Sequence, residues 1–128
     1  MTQEKRKFED WLDYARKAKR VALLAHISPD GDTLGSTLAL RLAFLAMGKQ
    51  VDVICDGDVP DNLKFLTGSE SILHPEDVNG SDYDTAIAVD VSDRSLLGKS
   101  ETVFDAAGIR MVIDHHATNP AYGQVNFI

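Results

Sequence analysis

At 128 residues, the chain has the length of one compact domain and is too short for two ordinary ones. Apolar residues make up 44% and charged residues 26%, with no low-complexity tract and no solenoid repeat, which excludes global disorder and repeat architectures. A net charge of −7 disfavours duplex DNA as a partner unless cations intervene, although Lys5, Arg6, Lys7, Arg16, Lys17, Lys19 and Arg20 gather much of the basic charge near the start. That stretch reads as a solvated helix face, with contact to a phosphate chain as the alternative. The only cysteine, Cys55, excludes an intrachain disulfide and a thiolate zinc cluster, and reads as inert packing. No run is long and uncharged enough to span a bilayer, and the charged start lacks an apolar signal core, so a cytoplasmic protein is expected.

The spacing of Phe8, Trp11, Leu12, Ala15 and Ala18 predicts a helix over 4–19 that covers a sheet. Residues 21–27 form a continuous apolar run, the pattern of a strand covered on both faces, and 28–32 form the loop that leaves it. Leu34, Leu38, Leu42 and Leu45 recur at helical intervals over 33–47, and Gly48 stands where a left-handed residue ends a helix. A second strand is expected over 51–56, then a short helix over 60–66 with proline in its first turn and Gly68 beyond its end. Residues 72–74 suggest a minor strand. Strands at 85–90 and 109–114 follow, separated by helical material around 101–107. This alternation predicts the α/β class: a doubly wound, mainly parallel sheet with helices on both faces and right-handed crossovers.

In such sheets ligands bind beyond the carboxyl ends of the strands. Three of the expected strands end in aspartate or histidine: the first at His26, leading into Asp30 and Asp32, the third at Asp90, and the fourth at Asp114, His115 and His116. Carboxylates and imidazoles without thiolate suit Mn²⁺, Mg²⁺, Fe²⁺ or Zn²⁺, with Mn²⁺ the first choice. Four aspartates gathered without cations would raise one another's pKa values, so the clustering itself argues for bound metal, and the number of ligands suits two ions bridged by one carboxylate.

Each residue also has an ordinary role. Asp32 alone would cap the helix that starts at Thr33, Asp30 with Gly31 would be turn chemistry after Pro29, and His26 would be a core histidine. Asp90 and Asp114 alone could close strands by accepting backbone amides. The shared character of three strand ends favours a common site. A calcium loop at residues 30–35 is excluded because Leu34 and Arg41 stand where oxygen ligands are required, and no lysine of the Walker type follows the first strand.

The stretch His26-Ile-Ser-Pro-Asp-Gly-Asp-Thr-Leu-Gly-Ser36, with Val89-Asp90 and Asp114-His-His116, resembles the first three motifs of the DHH phosphoesterases in order and spacing. The similarity is greatest to the branch of oligoribonucleases that degrade very short RNA and dephosphorylate phosphoadenosine phosphate. The resemblance implies that His26 and Asp30 bind one ion, Asp32 and His115 bind the other, and Asp90 bridges them. It implies that His116 faces the substrate phosphate and that Asp114 orients the histidines, as groups behind metal-bound imidazoles commonly do. Arg94 is a candidate phosphate contact, with an exposed helix position as the ordinary reading. In that family a fourth motif and a separate substrate-gripping domain follow, and the chain stops at Ile128 with neither, so a fragment of a longer protein, with weak or no turnover alone, is expected.

The activity implied is two-metal hydrolysis of phosphodiester or phosphomonoester bonds in a short single-stranded oligonucleotide or a small nucleotide, with no role for duplex DNA or a membrane. Cyclic dinucleotides, longer single-stranded DNA and pyrophosphate or polyphosphate remain alternative substrates. A noncatalytic nucleotide-binding domain and a metal-stabilised structural domain are the readings of a different class.

Overall fold

In the computed structural model, which describes residues 2–128, apolar runs of the chain become α1 (Gln3–Lys17), β1 (Arg20–Leu24), α2 (Gly31–Ala46), β2 (Gln50–Ile54), β3 (Thr85–Val89), α3 (Glu101–Ala106), β4 (Ile109–Ile113) and β5 (Val125–Phe127). The strands form one sheet in the order β2-β1-β3-β4-β5, and every pair is parallel. Val21 lies opposite Val51 on one side and Thr85 on the other, which places the ends of β1 and β3 side by side.

Side chains alternate across a strand, so each strand serves two cores. Val21, Leu23, Val53, Ile87, Val89 and Met111 pack with Trp11 and Ala15 of α1 and Leu38 and Phe44 of α2. Ala22, Leu24, Ile54, Ala86, Ala88 and Val112 face the opposite way, against Leu97, Val103 and Phe104. Alanines on that second face leave room for Phe104, whose complete burial is worth about 2–3 kcal/mol. Helices therefore cover both faces, as the doubly wound pattern requires.

Local chemistry fixes the helix ends. Thr2 caps α1 by accepting from the Lys5 amide at 3.1 Å. The buried Trp11 indole donates to the Val112 carbonyl at 3.1 Å and ties α1 to β4. Gly48, at φ 79°, is the left-handed residue that ends α2 after its Met47 cap.

Three expectations change, and one strand is added. The short helix over 60–66 is a 3₁₀ turn at Asp61–Leu63; so short a segment cannot offset helix nucleation, and its Phe65 is 78% exposed rather than packed. The minor strand over 72–74 reduces to one parallel bridge between Leu73 and Ile54. Helical structure before β4 begins earlier than 101, in a 3₁₀ stretch at Arg94–Ser100 kinked at Gly98. Finally, β5 is an edge strand without a counterpart in the hydrophobic pattern, because three residues, Val-Asn-Phe, make too short a run to register.

Candidate metal centre

The connection from β1 runs into α2 on one face of the sheet, whereas that from β3 runs through Arg94–Ser100 into α3 on the other. Loops thus diverge between two adjacent parallel strands, and a crevice opens at their carboxyl ends. Asp90, the first residue after β3, stands in that crevice. Its φ of 61° is left-handed, an arrangement that costs a residue with a Cβ about 1–2 kcal/mol, and its amide is held by the Ile113 carbonyl at 2.9 Å. Thr33, fully buried, locks the two loops together: its Oγ1 accepts from the His26 amide at 3.2 Å and donates to the Val89 carbonyl at 3.0 Å.

Four side chains meet there. Ligand atoms of Asp90, Asp114, His115 and His116 all lie within 4.8 Å of one another. His115 Nε2 is 2.7 Å and His116 Nδ1 3.9 Å from Asp90 Oδ1. Despite these separations, Oδ1 is buried and receives no hydrogen bond. A buried, unpaired carboxylate oxygen is costly. His115 Nε2 beside such an oxygen, among further carboxylates, forms a donor set that suits a divalent cation, so the residues present fit a metal ion.

Asp114 is different. Its side chain is wholly buried, and both oxygens are taken: Oδ1 lies 2.6 Å from His116 Nδ1, and Oδ2 accepts from Asn119 Nδ2 at 2.8 Å. A carboxylate can only accept, so the His116 proton sits on Nδ1 and its Nε2 is left free.

The charges follow this geometry. Burial pushes the Asp90 carboxyl above the usual aspartate range, against the opposing pull of His115 and His116. Burial also acts to raise Asp114, but hydrogen bonds from Asn119, His116 and the His115 amide outweigh it and hold that carboxyl below the ordinary value. The Asp114 hydrogen bond in turn raises the His116 imidazole.

Of the seven residues expected to share a site, Asp90, Asp114, His115 and His116 form this tight group, and His26, Asp30 and Asp32 are not among the four. Asp30 borders it, since its charge acts on both Asp90 and His116. It is also Asp30, not Asp32, that caps α2, by accepting from the Thr33 amide at 3.0 Å, and Asp32 lies exposed in the first helical turn. Residue i of a capping pair must precede the helix with extended backbone, a condition Asp30 meets at φ −111° and ψ −175°. His26 Nδ1 accepts from the Ser28 amide at 2.9 Å, which turns one face of the ring toward its own loop. Arg94 points elsewhere: its guanidinium pairs with Glu101 at 2.8 Å and with Asp105 at 2.5 Å, the exposed-helix role. Cys55 is buried, its thiol pushed up by burial, with Sγ 3.4 Å from the His26 carbonyl, as a packing residue should be.

Thr33 and Asn119 are site-building residues that sequence reasoning missed. Asn119 also reaches the Val91 carbonyl at 3.3 Å, bracing the β4 loop against the one after β3. Its position five residues after Asp114 was the available signal, because a short turn can return an amide to a carboxylate. Beside the group, Ser36, Leu40, Val89, Ile113 and Phe127 wall an apolar hollow of about 400 Å³ that Asp90 and His115 also line.

Residues 20–128 match the model of the DHH family, N-terminal domain. The chain is 31% identical over 108 residues to the bifunctional oligoribonuclease and PAP phosphatase NrnA of Thermus thermophilus, an alignment covering 84% of this chain and 31% of that protein. Its structure is similar to the crystal structure of an exopolyphosphatase-related protein from Bacteroides fragilis, with a TM-score of 0.86 and 24% identity over 98% of this chain and 40% of the other, a likeness of fold. The chain thus spans about a third of the curated relative. On the strength of the family match across β1 to β5, this chain belongs to the DHH family.

Proposed function

We propose that the chain is the metal-binding domain of a phosphoesterase that hydrolyses short oligonucleotides or phosphoadenosine phosphate. One observation carries the reading: the buried Asp90 Oδ1, which receives no hydrogen bond, lies 2.7 Å from His115 Nε2 in the crevice between β1 and β3. The substrate class rests on the likeness to the Thermus protein, whose name gives both activities. The share of that protein left unmatched supports a further substrate-gripping domain outside these residues.

His26 and Asp30 would hold one divalent ion, Asp32 and His115 a second, and Asp90 would bridge them, with Mn²⁺ the first choice and Mg²⁺ the next. Bound there, such ions lower the pKa of water and neutralise charge on phosphoryl oxygens. Asp114 positions His116 through the 2.6 Å contact and leaves Nε2 free for a phosphate oxygen. The raised pKa of His116 favours the cationic ring, which donates a charged hydrogen bond as negative charge builds. Asp30 uses one oxygen on the α2 cap, and the other would serve the ion. Thr33 holds the His26 loop beside Asp90, so binding organises groups already aligned.

The test is Mn²⁺-dependent cleavage of a dinucleotide, and release of phosphate from phosphoadenosine phosphate, by this chain and by a longer polypeptide containing it. Turnover that a chelator abolishes and Asp90→Ala removes supports the reading. Turnover untouched by Asp90→Ala, or metal-free nucleotide uptake with no turnover in either polypeptide, overturns it.

A further inference from the structure

We infer that a basic cleft at the opposite, amino-terminal end of the sheet binds a single-stranded polynucleotide, independently of the chemistry at Asp90. The cleft, about 670 Å³ and open to solvent, lies where α1 ends, β1 and β2 begin, and α2 turns back. Arg16, Lys17, Lys19, Arg20 and Lys49 line it, five of the thirteen basic residues in a chain of net charge −7.

Their bonding separates structural from available cations. Lys49 Nζ donates to the Arg16 and Ala18 carbonyls at 2.7 and 2.5 Å and so closes the end of α1. Arg16 shares its charge with Asp13 at 3.2 Å. Lys17, Lys19 and Arg20 are exposed and form no ion pair among the described residues. The one carboxylate lining the cleft, Asp84, is occupied by the Lys19 and Arg20 amides. Three unpaired cations therefore face solvent in one place, in a chain that otherwise carries more acidic than basic residues.

Two apolar side chains flank them. Tyr14, 43% exposed, lies beside the cleft with Lys17 Nζ 5.9 Å from its ring centre, and Met47, 52% exposed, lines the other side. A row of cations next to an exposed ring is what a single strand requires, with phosphates on the charges and a base on the ring. An acidic peptide would use the cations alone. Duplex DNA presents no unstacked base to Tyr14 and meets repulsion from the acidic body.

The cleft and the crevice at Asp90 are separated by β1 and the two residues after it, roughly 20 Å from Arg20 to His26 at about 3.3 Å per residue. A dinucleotide cannot occupy both, so binding at the cleft is separable from turnover.

To test this, anisotropy of a labelled oligoadenylate of ~12 nucleotides is followed in chelator, which removes divalent metal and hydrolysis together. The triple substitution Lys17→Glu, Lys19→Glu and Arg20→Glu should weaken binding at least about tenfold and lower the salt dependence of log K by about two, at ~0.7 per phosphate contact. The milder set Lys17→Gln, Lys19→Gln and Arg20→Gln, checked by an unchanged melting curve, should act in the same direction, and Tyr14→Ala should weaken binding several-fold without altering the salt slope. Dinucleotide turnover should persist in all of them. Unchanged affinity in the glutamine set, or equal binding of a polyglutamate peptide with no effect of Tyr14→Ala, would refute the inference.

Discussion

Two aspartates bracket the same strand and meet opposite fates: Asp84 immediately precedes β3 and Asp90 immediately follows it. At the amino end, Asp84 accepts from the Arg20 amide at 2.7 Å, from the Lys19 amide at 3.2 Å and from the Thr85 hydroxyl at 2.7 Å. Burial acts to raise its pKa, but these bonds and the Lys49 charge outweigh it and lower the carboxyl. At the carboxyl end, Asp90 is buried without a donor on Oδ1, and its pKa is raised. One end of the sheet spends its carboxylate on closing the fold. The other leaves one carboxylate oxygen without a hydrogen bond, a structural cost of the kind that points to a functional role.

The largest consequence concerns activity. Asp90→Ala should lower metal-dependent hydrolysis about 10³-fold, the scale of removing one charge-stabilising group, whereas Asp84→Ala should leave it within about twofold. Steady-state rates of both variants at saturating Mn²⁺ check this contrast, and equal losses would dissolve it.

Next is the brace between the loops. Thr33→Val keeps the shape of the side chain but leaves the His26 amide and Val89 carbonyl without their partner, so unfolding free energy should fall by about 2 kcal/mol. Urea denaturation measures it, and a neutral result would mean that water replaces the hydroxyl.

Smaller effects should carry opposite signs in the absence of metal. Asp84→Asn removes an anion that serves three donors and should destabilise by about 1 kcal/mol, discounted for the exposure of this residue. Asp90→Asn removes a disfavoured buried charge and should raise the melting temperature at neutral pH. Thermal melts in chelator that move both variants in the same direction would contradict the comparison.

The pH dependence is the finest discriminator. Because the Asp84 pKa is depressed by folding, its contribution is present above the unfolded value of about 3.9 and is lost as pH falls through the folded one. The stability gap between wild type and Asp84→Asn should therefore close on acidification below about pH 4. Asp90 has the reverse sign: its folded pKa is raised, so stability falls as pH rises through the unfolded value toward the folded one. Paired melts between pH 3 and 7 separate the two curves.

Much of this was legible in the residues. Continuous apolar runs ending in Asp90 and Asp114 gave β3 and β4, and the helical recurrence of Leu34 and Leu38 gave α2, because burial on both faces leaves a one-dimensional trace. The position of Asp90, Asp114, His115 and His116 at one edge followed from parallel topology alone. Other features have no such trace. The left-handed turn at Asp90 is set by loops arriving from two sides, and the Thr33 bond to Val89 joins residues far apart along the chain. Side-chain direction was equally hidden: whether Asp30 or Asp32 caps α2 depends on backbone angles at one residue. The edge strand β5 escaped because its pairing with β4, not its composition, makes it a strand.

Gly98 shows how closely the loops over the crevice are fitted. It adopts φ 59°, and a Cβ there would collide with Asp56 Oδ2 and lie 2.7 Å from the Ile27 side chain, next to His26 in the loop after β1. The same Asp56 oxygen accepts from the Lys99 amide at 2.7 Å, so the loop after β3 is tied to the one after β2.

Titration calorimetry with Mn²⁺ on wild type, Asp84→Asn and Asp90→Asn asks whether Asp90 holds metal. Wild type and Asp84→Asn should take up the ion with similar affinity and Asp90→Asn should lose it; uptake of equal strength by all three would contradict a metal centre built on Asp90.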